Sequence, residues 1–135
     1  MAFGMGEGKI SIMLGPTTYD PRETINGKVK LRLSDKVRGR SLVVEFYGEI
    51  VRGNKFERVF RAIQGLGGEQ EYKNGDEFPF SLTIPEQALP PAPQGTFGAI
   101  HDMFVPKLHS WFIEAKLDLP MAPDIHERIS VYMRH

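Results

Sequence analysis

The 135-residue chain contains no cysteine. That excludes disulfides, zinc-thiolate sites and thiol nucleophiles, and it removes one reason to place the protein outside the cell. An excess of either charge is also missing: 17 Lys and Arg face 17 Asp and Glu, for a formal net charge of +0. Proteins whose main task is to neutralise phosphates or to lie on an anionic membrane depend on a strong basic excess, so nucleic acid is not expected as a partner, although local patches stay open. Long apolar runs are absent, and no transmembrane segment is predicted. Met1-Ala2-Phe3-Gly4-Met5-Gly6 lacks the basic and apolar regions of a signal peptide, which makes the cytoplasm the expected location. No Gly-x-Ser-x-Gly occurs, so a nucleophile elbow is excluded. Helical 3.6-residue periodicity is lacking as well, and little or no helix is predicted.

What the chain does have is alternation. Glycine (14) and proline (10) punctuate apolar stretches of strand length. Lys9 to Leu14 places Ile10, Ile12 and Leu14 on one face, and Gly15-Pro16 stops it. Thr24 to Leu33 alternates Val29, Leu31 and Leu33 with Lys28, Lys30 and Arg32. Ser41 to Val51 follows, with Leu42, Val44, Phe46 and Ile50 inward, and Arg52-Gly53-Asn54-Lys55 is a short loop that could join it to Phe56 to Ile63 as a hairpin. Glu77 to Ile84, Trp111 to Asp118 and Ile125 to Met133 complete seven predicted strands. Charged outer faces and apolar inner ones imply a single domain over residues 1–135, an all-β, immunoglobulin-like antiparallel β-sandwich of about seven strands. Periodicity does not separate that architecture from a closed barrel. Between Pro85 and Ser110 runs a long proline-rich connection, too long for a hairpin.

Candidate chemistry is sparse. His101, Asp102 and His109 in the long connection are the leading candidates for a metal or acid/base site, and their spacing matches no named motif. No metal or other cofactor is predicted. His126-Glu127 reads as an outward polar pair. Glu45 and Glu49, like Glu114 and Asp118, stand four residues apart, which on a strand separates them by about 13 Å, beyond the reach of a glycosidase pair. Both pairs are expected on the wet side of their sheets. Gly65-Leu66-Gly67-Gly68 lacks the Lys-Ser/Thr of a phosphate loop and reads as a flexible turn. Lys28, Lys30 and Arg32 form a basic stripe without interleaved aromatics and read as a solvated face. Trp111, the only tryptophan, is phased inward as a core anchor.

Tyr19-Asp20-Pro21-Arg22-Glu23-Thr24-Ile25-Asn26-Gly27-Lys28-Val29 is similar to a Tyr-x-Pro-Gly-Glu-x-Ile-x-Gly-x-Val signature, with Arg22 where glycine is usual. Phe78-Pro79-Phe80, Ile84-Pro85, Leu89-Pro90-Pro91, Gly95, Phe97-Gly98 and Trp111 to Pro120 resemble a second block in the same order. Together they resemble the amino-terminal half of the arrestin family, including the α-arrestins and the bacterial and archaeal sporulation-control type. The resemblance covers nearly the whole chain. It implies a β-sandwich adaptor or scaffold that recognises other proteins and brings no catalytic residues, so no enzymatic activity is expected. Arrestins have two such lobes and this chain has room for one. Met1 to Gly6 contains no lysine, where receptor-binding arrestins carry a lysine pair, and Gly65 to Asp76 has no counterpart of their short helix.

Asp102 to Leu108 looks like an insertion relative to that pattern. Met103, Phe104, Val105 and Leu108 are its apolar residues, and they are the candidate partner-binding positions, with a lid over the sandwich as the competing reading. A lone lobe lacks the neighbour that family members pack against, so self-association through an edge strand or the 100–108 loop is predicted. Two other functions stay open. One is a small metal-dependent hydrolase centred on the 101–109 loop; the other is a carbohydrate-binding module using Tyr47, Phe56, Phe60 and Tyr72.

Overall fold

A computed structural model describes residues 8–85 and 108–134. The described residues form ten strands and no helix: β1 (Gly8–Leu14), β2 (Thr18–Tyr19), β3 (Thr24–Leu33), β4 (Val37–Gly39), β5 (Ser41–Arg52), β6 (Lys55–Gly67), β7 (Gln70–Tyr72), β8 (Glu77–Thr83), β9 (Leu108–Asp118) and β10 (Ile125–Met133). Among them no helix is long and apolar enough to cross a membrane. The seven long strands lie where alternation predicts them. The three short ones, β2, β4 and β7, hold two or three residues each, too few to show a period.

The strands make a three-stranded sheet in the order β1-β3-β8, a five-stranded sheet in the order β2-β10-β9-β5-β6, and a β4-β7 pair. Every ladder is antiparallel except β2 with β10. Ile10, Val29, Leu31, Phe80 and Leu82 from the smaller sheet and Val44, Phe46, Ile113, Ala115 and Val131 from the larger one are buried in a single apolar cluster. Trp111 belongs to it, stacked on Phe46 with ring centroids 5.4 Å apart. Gln64 of β6 joins the two sheets at one margin, accepting a hydrogen bond from the backbone N–H of Ser81 at 2.8 Å.

Two expectations are corrected here. The long connection ends before β9, which begins at Leu108 rather than after Ser110: Leu108 and Ser110 pair with Ile50 and Glu49. Gly65-Leu66-Gly67 is the end of β6 rather than a flexible turn, paired with Val43 and Leu42. Gly67 has a packing reason. A Cβ on Gly67 would stand 2.6 Å from the Tyr72 hydroxyl, and that ring is fully buried and donates to the Gly68 carbonyl at 2.6 Å. Gly67 is the glycine this tyrosine requires; Gly65 and Gly68 have open space beside them.

Candidate functional site

The outer face of the five-stranded sheet gathers the residues with the richest chemistry. On β5 the period of two sends Val43, Glu45, Tyr47, Glu49 and Val51 outward. β6 does not keep that period. Phe46 pairs with Ala62 but Gly48 pairs with Val59, so Tyr47 faces two residues, Phe60 and Arg61. This is a β-bulge, and Phe60 takes a left-handed φ of 54° at it. The extra residue shifts the phase by one. Arg58 and Arg61, three apart and therefore on opposite faces of a regular strand, now share one face.

Both arginines hold the same carboxylate. Arg58 Nη1 donates to Glu45 Oε1 at 2.7 Å, and Arg61 Nε donates to Glu45 Oε2. Glu45 is 6% exposed, so the expectation of a wet carboxylate is wrong at this position: neighbouring side chains, not solvent, satisfy it. Arg58 continues to Glu114 at 2.8 Å, and its guanidinium lies 4.1 Å from the centre of the Tyr47 ring. The buried Tyr47 hydroxyl donates to Glu114 at 2.9 Å and accepts from Arg128, which also donates to Glu49 at 3.2 Å and covers the Phe112 ring at 3.9 Å. Burial pushes the Tyr47 phenol above its ordinary value; the Arg128 hydrogen bond opposes that shift and Glu114 adds to it. The result is one network across β6, β5, β9 and β10.

The network lines a cleft of about 280 Å³, to which Glu45, Arg58, Arg61, Glu114, Lys116 and Asp118 contribute the charged groups. Its acids and bases balance. The residue types were visible in the sequence; their convergence was not, because it depends on the bulge and on strand order.

The predicted site residues fare differently. His101, Asp102, Met103, Phe104 and Val105 lie outside the described residues, while Leu108 and His109 open β9. No group of three metal-ligating side chains occurs among the described residues. His126 and Glu127 are exposed on β10, as expected. The four aromatics of the carbohydrate reading do not share an exposed face. Tyr47 and Tyr72 are buried, Phe60 packs on Trp111 with centroids 5.9 Å apart, and Phe56 alone stands out at 62% exposure.

No protein-family model matches the chain, and a comparison with curated proteins finds no match. Solved structures do match. The chain is similar to Spo0M, the sporulation control protein of Bacillus subtilis, with a TM-score of 0.63 and 19% identity, over 97% of this chain and 51% of that one. It also resembles part of the Pseudomonas fluorescens alkylpurine DNA glycosylase AlkC, solved bound to DNA containing an abasic site analog: TM-score 0.50, 13% identity, 96% of this chain and 31% of that one. These likenesses show a shared fold. The chain spans about half the length of Spo0M.

Proposed function

We propose that the chain is an arrestin-type β-sandwich acting as a non-catalytic protein-interaction module, and that it self-associates. One observation carries the reading: the two sequence blocks of the arrestin resemblance bind each other. Asp20-Pro21-Arg22-Glu23 turns so that the Arg22 N–H donates to the Ile84 carbonyl at 3.1 Å and the Ile84 N–H donates to Glu23 at 2.9 Å. The strands that follow and precede that turn, β3 and β8, pair from Thr24 with Thr83 to Lys30 with Glu77. Two distant motifs thus form one structural unit, as a fold signature requires. The likeness to a sporulation control protein supports a regulatory rather than a chemical role.

The edge for self-association is β6, the 13-residue strand that ends the five-stranded sheet. Its Phe56 sits opposite Val51, itself 38% exposed, beside the turn of the β5-β6 hairpin. Light scattering of the full chain is expected to give a multiple of 15.3 kDa, reduced by Phe56→Glu; a monomer at every concentration sinks self-association. Affinity capture from the source organism's lysate, with a variant lacking residues 101–108 alongside, tests the adaptor role. If no protein is enriched over an unrelated β-sandwich bait, that role is wrong.

A further inference from the structure

The outer face of the three-stranded sheet has a different charge balance. Register places Lys9 beside Arg32, Ser11 beside Lys30 and Met13 beside Lys28, while Glu77 of β8 lies beside Lys30. All of these side chains stand on the side away from the core. Glu77 pairs with Lys28 at 2.9 Å and with Lys30 at 3.8 Å. Among the described residues Lys9 and Arg32 have no ion-pair partner. Among the described residues of these strands, four cations against one carboxylate leave this face at +3 on a chain whose net charge is +0. The basic stripe read from β3 alone is therefore one row of a two-dimensional patch.

We propose that this face docks on an anionic lipid surface. The cations are spread over two neighbouring strands of a sheet, and three clefts among the described residues lie on other faces. A flat array of this kind fits a plane of charges better than a single polyanionic chain. No aromatic side chain stands among the cations to stack bases, which disfavours single-stranded nucleic acid. Met13, 41% exposed beside Lys28, supplies an apolar contact at the same level. The opposite face of the molecule neutralises itself within the arginine-carboxylate network, so docking has one orientation. Each cation near an anionic surface contributes roughly a fivefold gain in partition, which makes the association weak and reversible.

The test uses the full chain with phosphatidylcholine vesicles, plain or containing about 30 mol% phosphatidylserine, at about 50 mM and about 500 mM salt. Sedimentation with the anionic vesicles alone, lost at the higher salt, is expected. The variant Lys9→Gln/Arg32→Gln should bind about 25-fold more weakly, and Glu77→Gln about fivefold more tightly. A gain of binding is an outcome that misfolding does not produce. Equal binding to both vesicle types, or Glu77→Gln binding no tighter than the parent, overturns the proposal. So does retention of poly-glutamate or a single-stranded oligonucleotide in preference to the vesicles at matched charge.

Discussion

Glu45 shows how much one carboxylate can depend on its neighbours. It is buried, yet both of its oxygens are bound by guanidinium groups, so its desolvation is offset by charge-assisted hydrogen bonds. Glu45→Ala would leave Arg58 and Arg61 without that anion, and a loss of about 2 kcal/mol is expected in urea denaturation. Arg61→Ala should cost less than about 1 kcal/mol, because the Arg61 side chain is 50% exposed and water can replace it. At Arg22 the backbone conformation is the point of interest. This residue occupies the third position of the turn from Asp20 to Glu23, closed by a 3.1 Å hydrogen bond, with a φ of 70°. A type II turn favours glycine there, which explains why the related signature carries one. Replacing Asp20-Pro21-Arg22-Glu23 by the glycine-bearing turn, Arg22→Gly, relieves left-handed strain of about 1 kcal/mol against the losses of its side-chain interaction and of unfolded-chain stiffness, so thermal or urea melts are expected to change by less than about 1 kcal/mol.

Among the elements, β6 is the one the sequence describes least well. It carries two irregularities against β5, at Phe60-Arg61 and at Leu66. Each reverses which residues face out, so a strict alternation rule fails twice in one strand. A bulged, arginine-bearing edge is also a poor template for indiscriminate pairing, which confines the proposed contact to the Phe56 end. The β9-β10 connection has its own electrostatic lock. Asp124 accepts from the Leu119 N–H at 3.2 Å and pairs with Lys116 at 3.3 Å. Burial alone would raise its pKa; the Leu119 hydrogen bond and Lys116 outweigh it, and the carboxyl sits below its ordinary range. A depressed folded pKa gives stability that is present above the unfolded value and lost as pH falls through the folded one. The urea midpoint should therefore hold from pH 7 to about 5 and drop below about pH 4, with a smaller acid drop in Asp124→Asn. An equal drop in that variant would remove Asp124 as a cause.

On the scale of the whole molecule, the two sheets share one apolar core while their outer faces diverge, one self-neutralised and one cationic. Three tyrosines are buried, Tyr19 and Tyr72 in that core and Tyr47 within the outer-face network, and burial pushes their phenols above their ordinary range. Raised folded pKa values hold the proton more firmly in the folded state, so their contribution is intact below about pH 10 and is lost as pH rises through the folded values. Alkaline titration followed by tyrosinate absorbance should show these three ionising together with loss of β-sheet circular dichroism. Ionisation that leaves the sheet signal intact would contradict their burial.

The sequence by itself determined the seven long strands, their inward residues and the blocks that resemble arrestins, since alternation and turn residues are local properties written within each segment. The Tyr72 seat at Gly67, the Glu45 network and the breadth of the basic face were decided only in the tertiary structure. Each of these depends on which strand lies beside which, and on a one-residue slip at Phe60 that turns Arg61 to the face of Arg58. Pairing across 13 to 81 residues, as between Glu45 and Arg58 or Tyr47 and Arg128, leaves no trace in a local period.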